Sequence, residues 1–349
     1  MLELWTAEGA FEAIEGYLLE RGFFAPDGER LEADLYLGYG LSEPLRRSAA
    51  PPLRQPCALP LAAVAVRSTR RGQSPSAQRD AFRIGKWRRS WTDEAYGAAV
   101  EEVRAAIERG DVYQVNLVQH LSASFDGDPA ALAAALAHFR PLAPFLAGEG
   151  WAIASASPEL FLARRDRRVW TMPIKGTRPL GEHVEGAKDE AEHVMIVDLE
   201  RNDLSRVCEP GSVRWPELMI ERELAGVTHL VSRVEGRLRE DVELAQLLAA
   251  TFPGGSVTGA PKLAALDEIA RIEPVGRGAS MGALGTIRGN GDLDLALTIR
   301  TFAIADGRVH LWVGGGIVWD SDPVEEIEES WTKARPLLAA VGAPLEVTA

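Results

Sequence analysis

The sequence lacks several features that would define its class at once. It has only two cysteines, Cys57 and Cys208, among 349 residues. Two cysteines exclude a disulfide framework of the kind that small secreted domains use, and no CxxC pair is present to suggest a zinc site. No apolar run approaches the roughly 20 residues that a membrane-spanning helix needs. These absences leave a globular protein that keeps its thiols reduced.

Basic residues are also in short supply. Lysine and arginine number 38 against 51 aspartates and glutamates, which gives a formal net charge of −13. Broad affinity for nucleic acid is excluded, because such binding depends on neutralising phosphates. An acidic protein that binds an anionic substrate needs a local reversal of sign, from cationic side chains, backbone amides or a metal ion. The first residues, MLELWTAEGAFEAIEG, carry acids where a secretory signal carries basic residues, and a cytoplasmic location is therefore expected.

The distribution of local patterns predicts an α+β fold. A helix is expected from Thr92 to about Arg109, with strands in VYQVNLVQHLSASF, WAIASA, ELFLARRDRRVWTM, ALTIRTFAIA and RVHLWVGGGIVW. No repeat of fixed period and no strict βαβ alternation is present. We therefore expect large antiparallel sheets with helices packed outside. We expect residues 1–89, rich in proline and arginine, to form a short N-terminal flank packed on the core, and residues 90–340 to form the main domain, which carries the candidate site.

Two acidic clusters are candidates for chemistry. Helical spacing in KDEAEHVMIVDLERNDL places Asp189 and Glu192 on the same stripe as apolar residues. In DSDPVEEIEES, Asp322 is predicted to cap a short helix, which leaves Glu326 and Glu329 unexplained by capping. Each cluster could be a solvated helix face or a set of oxygen ligands. Without histidine or cysteine nearby, such ligands favour magnesium over zinc.

Two glycine segments, FPGGSVTGAPK and WVGGGIV, are predicted to follow strands. Neither matches a P-loop or a dinucleotide fingerprint, so ATP and NAD are not implied. They could be simple tight turns, or backbone amides that hold a carboxylate. Arg300, predicted to lie on a strand, could bind a substrate carboxylate or form a structural ion pair.

Taken together, the motifs resemble the chorismate-utilising enzymes, a family that includes anthranilate, aminodeoxychorismate, isochorismate and salicylate synthases. The motifs that carry the resemblance occur in the family's order between about residues 90 and 336: SASPELF, PIKGTRP, KDEAEHVMIVDLERNDL, THLVSRVEG, FPGGSVTGAPK, IRT and GGGIVWDSDPVEEIEES. The resemblance implies a fold like that of anthranilate synthase component I, an α/β sandwich of large antiparallel sheets. It also implies chorismate as the substrate and Mg²⁺ as the cofactor.

The resemblance further implies roles for individual residues. Glu192 and Glu329 become the principal magnesium ligands, and Asp189 and Glu326 become direct or water-mediated partners of the ion. The positions implied for substrate binding are Gly176, Thr177, His229, Ser256, Arg300, Gly314, Gly315 and Gly316. At Ser280 and Thr286 the family often has tyrosines, so substrate contacts there differ in this sequence. The family's tryptophan-binding element has no match in the N-terminal flank.

Lys175 indicates which reaction to expect. The aminodeoxychorismate synthases of the family carry PIKGT at this position, whereas anthranilate synthases have alanine in place of the lysine. The resemblance thus implies amination at C4, a step toward para-aminobenzoate and folate, with Lys175 attacking C2 and Glu159 acting as general acid and base. A lysine with the usual pKa of about 10.4 is rarely neutral at pH 7, so the site must favour the free amine. The alternative is that Lys175 pairs with an acid such as Glu159.

Other residues narrow the choice of activity. Isochorismate and salicylate synthases have a lysine base where this sequence has Gln114, so water addition is disfavoured. Neither cysteine lies in a context typical of a glutaminase nucleophile. A separate glutamine amidotransferase subunit is therefore expected to supply ammonia. Anthranilate-type amination and a catalytically silent binding subunit remain as alternatives.

Overall fold

The computed structural model describes residues 1–25, 30–68, 81–179, 187–224 and 227–343, with backbone alone for residues 68, 177–179, 187–189, 224 and 227. Within these residues, two sheets of ten and eight strands form the molecule, and every strand pairing is antiparallel. The ten-stranded sheet contains, in spatial order, β1 (Leu2–Leu4), β3 (Ala62–Ser68), β2 (Leu31–Leu37), β15 (Ala283–Arg288), β16 (Leu293–Leu297), β9 (Leu160–Arg165), β10 (Arg168–Met172), β13 (Val227–Arg237) and β11 (Ile174–Pro179), with β12 (Arg214–Leu224) also paired to β13.

The second sheet is built around one long strand. Its order is β14 (Gly259–Ala260), β6 (Gln114–Gly127), β18 (Arg308–Ile317), β17 (Thr301–Ala305), β8 (Trp151–Ser155) and β7 (Phe145–Gly148), with β4 (Phe82–Ile84) and β5 (Arg88–Arg89) also paired to β6. The helices are α1 (Ala10–Leu19), α2 (Asp93–Glu108), α3 (Pro129–Ala135), α4 (Ala187–Ser205), α5 (Leu244–Thr251), α6 (Lys262–Ile272) and α7 (Pro323–Ala340). In the described part of the chain, no helix combines the length and apolarity needed to cross a bilayer.

Local sequence signals explain how the key helices begin. Thr92 accepts a hydrogen bond from the Ala95 amide and caps α2, as its sequence predicts. Asp322 accepts from the amides of Val324 and Glu325, and Pro323 occupies the first helical position of α7. Both caps fix where a helix starts relative to the strand that precedes it. In α7, the cap sets which carboxylates face the sheet.

Alternation along β18 divides the apolar residues between two cores. Val309, Leu311 and Val313 join the core that packs under α3 and α7. Trp312 points the other way, into the large core that contains residues from both sheets. Residues i and i+2 of a strand share a face, so this division follows from the sequence once the strand is recognised. The eight-stranded sheet is therefore buried on both faces along the first part of β18.

The predicted fold class is confirmed: the chain is α+β, with large antiparallel sheets and helices around them. The first 68 residues contribute β1, β2 and β3 to the ten-stranded sheet, so this segment is a structural part of it. The domain boundary at residue 89 stays a prediction.

Three local predictions were wrong. Arg300 does not lie on a strand: it falls between β16 and β17 with φ of 51°, where the chain passes from one sheet to the other. The apolar pattern of ALTIRTFAIA runs through this crossing, so periodicity alone could not detect it. The FPGGS segment follows a helix, α5, instead of a strand, and Gly314 to Gly316 lie within β18 instead of after it.

Candidate active site

A cavity of about 790 Å³ lies between the two sheets and is bounded on its other sides by α4 and α7. Most of the residues that the sequence singled out line it, namely Glu159, Lys175, Gly176, Glu192, His229, Ser256, Arg300, Gly314, Gly315, Gly316, Glu326 and Glu329. The side chains of Thr177 and Asp189 lie outside the described residues. The volume suits a small-molecule ligand, since such pockets typically measure about 300–1,000 Å³.

Glu159 is the buried acid of this cavity. It lies in the loop between β8 and β9, is 3 % exposed, and its Oε1 accepts a hydrogen bond of 3.4 Å from the Ile174 amide. Burial raises the pKa of the Glu159 carboxyl, although the Ser256 hydroxyl and the positive charge of Lys175 act to lower it. A raised pKa favours the protonated form of the carboxyl, which is the state that a general acid requires.

Lys175 projects from β11 at a point where its pairing with β13 is irregular. Its Nζ lies 3.9 Å from Oε2 of Glu192, and both side chains are 13 % exposed. The ion-pair partner is thus Glu192, whereas the sequence suggested Glu159. At 3.9 Å the contact is longer than a hydrogen bond, so this acid holds the ammonium group nearby without fixing it.

Arg300 supplies a second positive charge. Its left-handed backbone conformation, with φ of 51°, is uncommon for a residue with a side chain and is often found at functional sites. Burial lowers the pKa of the guanidinium, and the nearby Glu159 carboxylate opposes that shift. An arginine keeps its charge even when buried, so Arg300 is equipped to bind a carboxylate in the cavity.

His229 fixes the backbone next to Lys175. Its Nδ1 lies 2.8 Å from the carbonyl oxygen of Gly176. Burial lowers the pKa of the ring, the bond to Gly176 acts to raise it, and the carbonyl oxygen can only accept a hydrogen bond. Nδ1 therefore carries the proton, and His229 positions the strand that bears Lys175.

The glycines of β18 bring the backbone close to its neighbours. A Cβ on Gly314 would lie 1.9 Å from the carbonyl oxygen of Leu117, and one on Gly316 would lie 1.9 Å from Nε2 of Gln114. No side chain fits at Gly314, where the clash is with fixed backbone, and at Gly316 a side chain would displace Gln114. The glycines thus leave a strand whose backbone itself forms the cavity wall, open to a ligand.

Gly314→Ala is expected to lower the free energy of unfolding by about 1–3 kcal/mol, because the methyl group meets a fixed backbone carbonyl. Thermal melting measures the effect. Gly16→Ala is the matched control: its methyl group meets nothing within 4 Å in α1, and alanine favours helices, so a gain of about 0.5–1 kcal/mol is expected. A melting temperature of Gly314→Ala at or above that of the parent would contradict the steric argument.

Sequence reasoning missed Lys333, which also lines the cavity. Its Nζ lies 2.6 Å from Oε1 of Glu329 and donates a 2.9 Å hydrogen bond to the Gly314 carbonyl. The sequence did contain an indication of this role, because Glu329 and Lys333 are four residues apart on α7 and such pairs share a helix face. Lys333 adds a third positive charge to a wall otherwise made of acids and glycines.

Two acids of the cavity, Glu326 and Glu329, provide the kind of ligand that a magnesium ion requires. Glu326 accepts a hydrogen bond of 2.7 Å from Ser321, and a Cβ on Gly315 would meet carboxylate oxygens of both Glu326 and Glu329, at 3.4 and 3.2 Å. The two carboxylates therefore converge on the same stretch of β18. Among the described residues, no set of three histidine, cysteine, aspartate or glutamate side chains is already arranged around one point. Magnesium needs only one or two protein carboxylates because it keeps several waters. The carboxylates of Glu326 and Glu329 therefore fit its requirements.

Comparison with known proteins places this chain among the chorismate binding enzymes. The family model of the chorismate binding enzymes matches residues 45–339, and this chain belongs to that family.

Named relatives include two kinds of enzyme. Aminodeoxychorismate synthase component 1 of Klebsiella aerogenes is 41 % identical over 265 residues, which cover 72 % of this chain and 59 % of that protein. Anthranilate synthase component 1 of Thermus thermophilus is 42 % identical over 271 residues, covering 73 % and 58 %. This chain thus spans about three fifths of the length of the curated relatives it matches.

The structural comparison agrees. The crystal structure of anthranilate synthase component I from Streptococcus pneumoniae TIGR4 superposes with a TM-score of 0.76 at 26 % identity, covering 87 % of this chain and 80 % of that one. The expected fold, like that of anthranilate synthase component I, is confirmed. Overall identity does not separate the two named activities, so the choice between them rests on the residues of the cavity.

Proposed function

We propose that this chain is an aminodeoxychorismate synthase component I, which converts chorismate and ammonia to 4-amino-4-deoxychorismate. The observation that carries the proposal is the presence of Lys175 and the buried acid Glu159 in one cavity of a chorismate binding enzyme. A primary amine beside a carboxyl of raised pKa is the pair that covalent substitution of an allylic alcohol requires. The product leads toward para-aminobenzoate and folate.

The proposed reaction has two substitutions. The neutral amine of Lys175 attacks C2 of the ring, the double bonds shift, and the bond between C4 and its hydroxyl oxygen breaks. Glu159 gives its proton to the departing hydroxyl, which leaves as water, and then takes up the proton released from the new secondary ammonium. Ammonia next attacks C4, and the C2–N bond to Lys175 breaks as Glu159 returns a proton to the lysine nitrogen. The net reaction consumes one chorismate and one ammonia and yields one amine and one water.

Substrate binding follows from the charges on the cavity wall. Chorismate carries two carboxylates, and Arg300, together with the open backbone of Gly314 to Gly316, offers groups that can hold them. A magnesium ion held by Glu192 and Glu329, with Glu326 and Asp189 as direct or water-mediated partners, would neutralise this acidic wall and bind the ring carboxylate. His229 keeps the Lys175 strand in register through its bond to Gly176.

Glu192→Gln and Glu329→Gln are expected to raise the magnesium concentration needed for half-maximal activity by about tenfold or more, because each removes a charged ligand. Titration of activity after chelation and dialysis measures the shift. Glu325→Gln is the control, since Glu325 lies on the same helix but is exposed and does not line the cavity. Activity that is indifferent to magnesium in the parent chain would remove the cation from the proposal.

Ammonia is proposed to come from a separate glutamine amidotransferase subunit. Hydrolysis of glutamine by a cysteine enzyme needs a thiolate, yet both cysteines are buried. Burial raises the pKa of Cys57 to about 12 and that of Cys208 to about 11, so both stay protonated at neutral pH. Ammonium salts should replace the partner in a test of this chain alone.

A second candidate is amination at C2, as in the anthranilate synthases. Its support is the 42 % identity to the Thermus thermophilus protein. Mass spectrometry of the products formed from chorismate, magnesium and ammonium salt decides between the two. Aminodeoxychorismate supports the proposal and anthranilate overturns it. If the chain makes no product with or without an amidotransferase partner, it is a silent binding subunit.

A further inference from the structure

One polar side chain in the cavity wall has no role in the mechanism above. Asn116 lies on β6 opposite Gly316 of β18 and lines the cavity, yet its side chain was not singled out by any sequence motif. It is 8 % exposed, and its Oδ1 has no hydrogen-bond partner. Buried polar groups are nearly always paired, so an unpaired amide oxygen in the wall of a binding cavity indicates that a ligand completes it.

The backbone of Asn116, in contrast, is held on both sides. Its amide donates to the Thr258 carbonyl at 2.7 Å, and its carbonyl accepts from Nη2 of Arg277 at 2.6 Å. Arg277 is in turn locked in a fully buried ion pair with Glu273, at 2.7 Å. The residue therefore cannot move away to find a partner for its side chain. The backbone that carries the carboxamide is thus fixed before a ligand binds, which lowers the entropic cost of binding.

Gln114 provides a second amide on the same face of β6. Residues two apart on a strand point the same way, and Oε1 of the buried Gln114 also has no partner. Its Nε2 lies over Gly316, where a Cβ would meet it at 1.9 Å. Gln114 does not itself line the cavity, so Asn116 is the amide of this pair that a ligand can reach.

The chemistry of the reactants indicates which of them belongs beside Asn116. The carboxylates of chorismate are acceptors and have positive partners elsewhere in the cavity. Ammonia has three N–H donors and must keep its lone pair to act as a nucleophile. A carboxylate beside it would favour ammonium, which has no lone pair, whereas a neutral amide oxygen accepts a hydrogen bond without that bias.

We propose that Asn116 binds the attacking ammonia through its side-chain amide oxygen and so forms an ammonia pocket at the start of β6. The proposal rests on the proposed function and deepens it, because it assigns the site of the second substrate.

The test separates the two substrates. Asn116→Leu keeps the size of the side chain and removes its hydrogen bonds, and it is expected to raise the KM for ammonia about tenfold or more while the KM for chorismate changes less than twofold. Asn116→Ser keeps a small polar group and should lie between the parent and Asn116→Leu. The exposed Asn202→Leu on α4 is the control and should match the parent.

A second readout does not depend on turnover. If ammonia binding is the step that fails, the adduct between Lys175 and the substrate persists, and the intact mass of Asn116→Leu after mixing with chorismate and ammonium salt shows more of it than the parent. If Asn116→Leu does not fold, the same comparison is made with Asn116→Ser.

Each outcome decides the matter. A rise in the KM for chorismate alone, an equal rise in both constants, or no change in either overturns the ammonia pocket. If the parent chain itself forms no aminated product, the proposed function fails instead, and the two failures are thereby distinguished.

Discussion

Lys175→Ala is expected to abolish C4 amination, with a rate loss on the order of a thousandfold or more, the scale seen when a covalent nucleophile is removed. The lysine projects into the cavity that Glu159 and Arg300 share, and no other described lysine except Lys333 lines that cavity. Lys333 cannot substitute for Lys175, since it is bound to Glu329 and Gly314 on the opposite wall. The measurement is mass spectrometry of the products formed with ammonium salt, together with the intact mass of the protein.

The control for this prediction is Lys86→Ala, which removes an exposed lysine outside the cavity and should leave the rate unchanged. Lys175→Arg keeps the positive charge but not a nucleophilic amine, so it should be as inactive as the alanine variant. Substantial aminodeoxychorismate from either Lys175 variant would mean that the lysine is a structural partner of Glu192 and that ammonia attacks directly.

Glu159→Gln has the second largest expected effect, a loss of about 10²–10⁴ in rate, because the amide cannot transfer the proton that the leaving hydroxyl needs. The same change should stabilise the protein at neutral pH. Burial raises the pKa of Glu159 in the folded state, so folding favours the protonated form. Glutamine resembles that form and carries no cost of ionisation inside the cavity.

The pH dependence follows from the sign of that shift. The folded pKa lies above the unfolded value of about 4.3, so the unfolded parent chain releases its proton first, and the parent loses stability as the pH rises past that value. The melting temperature of Glu159→Gln should therefore be higher than that of the parent, and the difference should grow from pH 4 to pH 7. Glu159→Asp, which still titrates, is the control. A variant that is less stable than the parent at pH 7 would show that Glu159 is bound as a charged ion-pair partner.

Much of the local structure could be predicted from neighbouring residues. The cap at Thr92 and the Asp322–Pro323 start of α7 depend on atoms within one helical turn, so the sequence predicted both correctly. The spacing of Glu326 and Glu329 placed them on helix faces for the same reason. The fold class could be predicted because the sequence contains many strand patterns and no βαβ alternation.

The details of the site could not be predicted in that way. The left-handed turn at Arg300 occurs because β16 and β17 belong to different sheets, and that assignment depends on strands far away in sequence. The partner of Lys175 is Glu192 because α4 packs beside β11, which no local pattern specifies. Asn116 and Lys333 entered the candidate site only when β6, β18 and α7 were brought together.

The sequence by itself determined the kinds of groups available: few cysteines, an acidic surplus, the lysine of PIKGT and acids at helical spacing. It also determined the family, because the motifs occur in a fixed order. Tertiary structure decided which of these groups meet, how deeply each is buried, and in which direction burial and neighbouring charges move the pKa of Glu159. The physical reason is that capping and periodicity act within a few residues along the chain, whereas desolvation and Coulomb interactions depend on distances in space.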